Sequence, residues 1–322
     1  MGGAMKYENK CLSITLLALA LGVAAPSITS AEPIEIGVAW AGKSSMAERV
    51  FKGFKQRLKI LNVDADIELK GALPTIEALD ATVKEFEADN KDGLVILRSN
   101  GSAYLGKNPP NIPTFIGGGN KPSELGSVKN MDAPEGNVTG VTYFLPLEIP
   151  LEAYLAFTPK VKSFLLINQT NYSSSPIDWN GTKAACGPLE LKCENATISS
   201  REELVELIKD KKDQYDAFIL GNQVEAYGNA DAVIGLVGNK PVYSYAAKGV
   251  DLGALGGVIA DDEKLGAMMA DSLVDVLVNG KAISKTPIKT DPEPTIMVNE
   301  TTMKKLGLRI PTEILSVAEI VQ

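Results

Sequence analysis

No histidine occurs among the 322 residues of this chain. That excludes Ser-His-Asp and Cys-His nucleophile systems, histidine general bases and histidine-ligated metals together, because each needs a group titrating near neutrality or an imidazole donor. A Gly-x-Ser-x-Gly elbow is missing as well, which leaves a hydrolase reading with few parts. Cysteine is scarce, confined to Cys11, Cys186 and Cys193. Positive charge falls short of negative, 32 residues against 40, and the net charge of −8 argues against a nucleic-acid partner. Beyond the amino terminus no stretch approaches the ~20 continuous apolar residues of a membrane span. No cofactor is expected: Gly117-Gly118-Gly119-Asn120 lacks the Lys-Ser/Thr pair of a P-loop and the spacing of a dinucleotide fingerprint. Its glycines suit close approach of backbone to a ligand or to another part of the chain.

What is present begins with an export signal. Lys6 and Lys10 precede an apolar core from Leu12 to Ala25, and Pro26 with the small residues Ser27 to Ala31 follows, placing Thr29 and Ala31 at the minus-three and minus-one positions of a cleavage site. Residues 1–31 therefore read as a signal peptide, with an uncleaved anchor as the alternative. Cys11 lies ahead of the apolar core, the wrong side for lipidation. An oxidising compartment makes a Cys186–Cys193 disulfide the expectation around the turn Gly187-Pro188, with two buried free thiols as the alternative.

From residue 34 onward short apolar runs alternate with amphipathic helical stretches, the pattern of parallel sheets covered by helices. Ile34 to Trp40 reads as a strand that turns into a helix with Met46, Val50, Phe54 and Leu58 on one face. Ser45 with Glu48 has the form of a capping box. Gly93 to Leu97 is a buried strand ending in the polar run Ser99-Asn100-Gly101-Ser102, and Tyr215 to Leu220 ends likewise in Gly221-Asn222-Gln223. Such loops lie at the carboxyl edge of open parallel sheets, where ligands bind. They are also what ordinary turns contain. Asp261 and Asp262 open a helix and read as caps, the alternative being a paired-carboxylate site. Between the two similar halves stands Gly136 to Glu148 (GNVTGVTYFLPLE), an extended segment with glycine and proline at its ends, as a hinge would be built. The fold expected is α/β, with two doubly wound parallel-sheet lobes joined by a multi-strand hinge and closing on a small ligand.

Over essentially the whole mature chain, and through three stretches above all, the sequence resembles the extracytoplasmic substrate-binding proteins of ABC transporters, in the group whose better-characterised members bind aromatic amino acids and which has the periplasmic-binding-protein type I fold. Gly37 to Gly53 is similar to that group's first strand, loop and helix, Gly136 to Glu148 to its interlobe segment, and Met297 to Leu315 to its ending. The resemblance implies lobe one from 32–141 plus about 250–283, and lobe two from 142–249 plus about 284–322. It implies ligand contacts at Trp40, Ser45, Ser99, Asn100, Gly101, Ser102 and Asn120, and, from the second half, at Phe144, Asn171, Tyr172, Asn222, Gln223 and Tyr245. Asp261 is expected to face the crossover. It further implies a binding protein, not an enzyme, that is periplasmic or otherwise extracytoplasmic and monomeric, with a small-molecule ligand and a membrane permease as partners. A sensor module for a membrane receptor is the alternative. Relatives carry acidic residues after the strand ending in Tyr245 and often beyond the fourth strand, where this chain has Ala246-Ala247-Lys248 and Asn120. A buried ammonium needs a partner charge, so a neutral or anionic ligand stands here beside an α-amino acid.

Overall fold

In a computed structural model of the chain, residues 1–3 and 32–322 are described; the expected signal peptide, its first three residues apart, lies outside them. Pro33–Gln322 hold together as one unit containing two sheets. The first is built from β1 (Ile34–Ala41), β2 (Ala65–Leu73), β3 (Gly93–Leu97), β4 (Thr114–Gly117) and β5 (Val138–Gly140), all parallel, in the order β2-β1-β3-β4-β5. Helices α1 (Ser45–Ile60), α2 (Ile76–Ala88), α3 (Ser99–Lys107) and α4 (Pro122–Leu125) connect them. β3 and β4 are buried along their whole length, as helices on both faces require.

The second lobe opens with α5 (Glu148–Phe157), β6 (Ser163–Gln169), α6 (Ser175–Cys186), β7 (Lys192–Ile198), α7 (Arg201–Lys211) and β8 (Ala217–Leu220). It continues through α8 (Val224–Tyr227), α9 (Ala230–Leu236), β9 (Val242–Ser244), α10 (Ala247–Asp251) and β10 (Gly256–Ile259). The run β7-β6-β8-β9-β10 repeats the order of the first sheet. In both lobes the order reverses between the first and third strands, and the crevice outside that point is where such sheets bind ligands.

The chain then returns to the first lobe as α11 (Asp262–Leu273), extended by a π-helical turn over Val274–Val278. α11 lies against α1 so closely that a Cβ on Gly53 would sit 2.0 Å from the Glu263 carbonyl, and one on Gly266 2.0 Å from that of Val50. Arg49–Asp262, Lys52–Glu263 and Arg57–Asp271 ion pairs line the same seam. The chain last crosses into the second lobe with β11 (Thr295–Asn299), antiparallel to β10, followed by α12 (Glu300–Lys305), α13 (Thr312–Leu315) and β12 (Glu319–Val321). β11 and β12 thus add an antiparallel edge to an otherwise parallel sheet.

Two expected boundaries differ from this. The return to the first lobe was placed near residue 250, yet α10 and β10 belong to the second lobe and the crossing comes at Ala260–Asp261. The last crossing was placed near 284, yet Thr286 to Lys289 still bond the first crossover: Val141 bridges Lys289, whose carbonyl accepts the Thr142 N–H at 2.9 Å. Apolar runs mark strands, but not the sheet a strand joins. Gly140 is required where the first crossover leaves β5: its φ is +134°, and a Cβ there would lie 2.2 Å from the Ile116 carbonyl. Asp291 fastens the other two crossovers, accepting the Asp261 N–H at 2.8 Å and pairing with Lys264 at 2.8 Å.

The disulfide is present, Cys186 at the end of α6 joined to Cys193 on β7 with 6.3 Å between Cα atoms. β7 begins at Lys192, because Gly187 to Glu190 form a turn in which Glu190 adopts φ +53°.

Candidate ligand-binding cleft

The segments after β3 and β4 of the first lobe meet the loop after β6 and the first turn of α6 of the second, and they do so by direct hydrogen bonds. Asn120 Nδ2, past β4, donates to Asp178 Oδ1 in the first turn of α6 at 2.7 Å. Arg98 Nη2 donates to the Tyr172 hydroxyl at 3.0 Å, while Nη1 donates to the Ala41 carbonyl. Ser173 Oγ donates to Asn100 Oδ1 at 2.7 Å. Arg98 holds φ +75°, an uncommon conformation for a residue with a Cβ, at the point where β3 gives way to α3.

These bonds close over a cavity of about 730 Å³, including its solvent-open mouth. Ser45, Asn120, Phe144, Asn222 and Tyr245 line it, so five of the expected residues converge. A smaller recess beside it, about 290 Å³, is bounded by Arg98, Ser99, Tyr172, Asn222 and Gln223. Ser99 and Asn222, from opposite lobes, share that recess. Ser99 Oγ accepts the Asn120 N–H at 3.0 Å and lies 3.3 Å from the Tyr143 hydroxyl. Lys121 stands 4.9 Å over the Phe144 ring, and the Tyr245 hydroxyl bonds Thr182 at 2.8 Å.

The other expected residues serve elsewhere. Trp40 is 4 % exposed and packs in the first lobe's core against Phe51 and under Gly71, where a Cβ would meet its ring at 2.4 Å. Gly101 turns toward Ile96, and Ser102 bonds Ser127 at 2.7 Å, because the helix begins at Ser99 itself and rotates them inward. Asn171 is exposed with φ +56°, a turn residue that sets Tyr172. Asp261 is exposed and caps α11, accepting the Glu263 and Lys264 N–H groups at 2.9 and 3.0 Å. The cap of α1 is Ser44, not Ser45; Ser44 Oγ accepts the Ala47 N–H at 3.2 Å, which leaves Ser45 free at the mouth. The triple-glycine run meets the crossover, not a ligand: the Gly119 carbonyl accepts the Thr142 hydroxyl at 2.8 Å and the Tyr143 N–H at 3.2 Å.

Sequence reasoning missed the cavity's charges. Asp178 is 4 % exposed, and burial raises its carboxyl to about 7 despite bonds from Gln223, the Asn222 backbone and Asn120. Asp262 is raised to about 6 by burial, which outweighs the pull of Arg49. Arg49 donates from Nε and Nη2 to one Asp262 oxygen at 2.9 and 2.7 Å, and both line the cavity. Helical arithmetic could have found Asp178: with Thr182 and Ala185 it falls on one stripe of α6, and that stripe is buried. Among the described residues no cluster of three or more His, Cys, Asp or Glu is placed to hold a metal.

The profile of the family described as "ABC transporter substrate binding protein" matches residues 35–322. This chain belongs to that family. As a substrate-binding protein it is 26% identical, over 282 residues, to the "Tyrosine-binding protein" of Clostridioides difficile (strain R20291), covering 85% of this chain and 81% of the relative. Among solved structures it resembles the ABC domain from Streptococcus pneumonia in complex with L-Trp, with a TM-score of 0.80, 22% identity, and coverage of 90% of this chain and 100% of that one. It also resembles the ligand-free, open structure of a substrate-binding protein with adhesive properties from Clostridium difficile, with a TM-score of 0.75, 22% identity, and coverage of 89% and 99%. At these identities the structural likeness shows the fold: two periplasmic-binding-protein type I lobes.

Proposed function

We propose that this substrate-binding protein captures a small solute with an aromatic or apolar body outside the cytoplasm and delivers it to the membrane permease of an ABC importer, acting as a monomer. The observation that carries the reading is the cavity between the lobes, into which Phe144, Tyr227, Tyr245, Met46 and Ile177 project beside polar groups of both lobes. A pocket that is mostly apolar, with a few convergent polar groups, is the usual form of a small-molecule site. The names of the tyrosine-binding relative and of the L-Trp complex support the aromatic body. The expected export signal supports the compartment, and the Cys186–Cys193 disulfide is consistent with it. Among the described residues no helix is long and apolar enough to cross a membrane.

In this mechanism the ligand enters while the lobes are apart and settles on the second lobe's wall. Asn120, Arg98 and Asn100 then reach Asp178, Tyr172 and Ser173 as the crossovers at Gly140, Asp261 and Lys289 swivel. Closure is driven by the ligand's greater affinity for the closed form. Thermal-shift screening with aromatic solutes, L-tyrosine and L-tryptophan among them, followed by small-angle scattering, tests it. A confirmed ligand is expected to reduce the radius of gyration of the full chain; a ligand that binds without changing it would overturn the closing mechanism.

A further inference from the structure

Asp178 is a buried acid without a counter-ion. Its partners are Asn120 Nδ2 at 2.7 Å, Gln223 Nε2 at 2.6 Å and the backbone N–H of Asn222, none of them charged. The phenols of Tyr143 from the crossover, Tyr172 from the loop after β6 and Tyr245 from the loop after β9 face it, and they are neutral. Arg49, on the first lobe's wall of the cavity, is committed to Asp262, and Lys248 at the rim is exposed. Three dipoles and a helix N-terminus offset part of the desolvation of a carboxylate, but a full negative charge out of water still calls for a positive one. Beside it Asn222 Oδ1 is shielded from solvent and has no donor, and both residues line the same cavity. Two acceptors converge there, and the complement is a cationic donor.

We propose that the ligand carries a protonated amine, which docks between Asp178 and Asn222 Oδ1. This rests on the small-ligand reading of the cleft and narrows it, replacing the neutral or anionic ligand that Ala246-Ala247-Lys248 and Asn120 had put beside an amine. The charge that the neighbouring positions lack is supplied from α6. An anionic ligand would set a second negative charge against Asp178 with Arg49 already paired, and a neutral one would leave the carboxylate unpaired. Burial also holds part of a proton on Asp178 near neutrality. Only the deprotonated acid receives an ammonium, so binding expels that proton, and affinity falls roughly tenfold per pH unit below about 7.

The test uses matched pairs on the full chain: tryptamine against indole-3-propionate, phenethylamine against 3-phenylpropionate, and isopentylamine against 4-methylpentanoate. In each pair the amine is expected to bind and the carboxylate to bind far more weakly, with Asp178→Asn weakening the amine by at least roughly thirtyfold. Calorimetry of the unmodified chain at pH 7 in phosphate and in Tris is expected to show release of about half a proton per amine bound. That measurement stands whether or not the variant folds. Carboxylates binding as tightly as amines, full amine affinity in folded Asp178→Asn, or no proton release would each overturn the assignment. If carboxylates bind and close the lobes, the amine fails while the small-ligand reading holds; if isopentylamine binds and neither aromatic amine does, the aromatic body fails while the amine holds.

Discussion

Asp178 gives the unliganded protein a pH response of definite sign. Its carboxyl is raised from the usual carboxylate range to about 7, so between roughly pH 4 and 7 the folded chain holds a proton that the unfolded chain has released. Stability from this group is therefore fully present below about pH 4 and is lost as pH rises toward 7. Asp262, raised to about 6, acts with the same sign over a narrower window. Urea denaturation of the wild type and of Asp178→Asn at pH 4.5 and 7.5 is expected to show the larger loss across that interval in the wild type, because the amide cannot titrate; equal losses would remove Asp178 from the account. Asn222 was legible in the sequence because short polar runs after apolar strands fall at a sheet's carboxyl edge, and Asn120 through the family resemblance alone. Asp178 carries no such local mark: only the stripe it shares with Thr182 and Ala185 points to its burial, and that it faces the cavity shows only once α6 is seated. Trp40 misled for the converse reason: an aromatic at a strand's end is read as a platform, and here the bulge of β1 between Ala39 and Ala41 turns it into the core.

Among the elements, α11 shows most clearly how much sheet-and-helix periodicity leaves out. Its apolar face, Leu265, Met269 and Leu273, can be read from the chain, but its partner, α1, is some two hundred residues earlier and is chosen by glycine contact and charge pairs. Gly266→Ala would drive a Cβ to 2.0 Å from the Val50 carbonyl and 2.8 Å from the Phe54 nitrogen, backbone atoms that cannot swing aside. The helices must separate, and a loss of about 2–3 kcal/mol in urea denaturation is expected. Gly235→Ala in α9, where the new Cβ meets nothing within 4 Å, is the control and should gain up to about 1 kcal/mol. The disulfide belongs to this scale as well. It closes a short loop, seven residues in sequence separation, and ties α6, the helix that carries Asp178, to β7. Reduction is expected to remove about 2–3 kcal/mol by chain entropy. Denaturation midpoints with and without dithiothreitol measure it, and an unchanged midpoint would mean that the strand pairing of β7 alone seats the helix.

Across the whole molecule, the proposed closing mechanism assigns the balance between separated and closed lobes to a small number of bonds that the ligand does not make. Three of them can be named: Asn120 to Asp178, Ser173 to Asn100, and Arg98 to Tyr172. Each joins one lobe to the other across the cleft, whereas the bonds around Val141, Asp261 and Lys289 hold the crossovers to one another. Removing the first two by Asn120→Ala with Ser173→Ala leaves both lobes' cores untouched. A bond to a carboxylate contributes roughly 1.5–3 kcal/mol net and a neutral one about 1, so the closed form should lose roughly 2–4 kcal/mol relative to the open one. The closed-to-open ratio of the unliganded chain would fall accordingly, and the apparent affinity of any closing ligand with it. Small-angle scattering of the unliganded double variant is expected to give a larger radius of gyration than the wild type, with the difference abolished at saturating ligand. An unliganded variant as compact as the wild type would mean that the crossovers themselves hold the lobes together, and that the polar rims meet without governing closure.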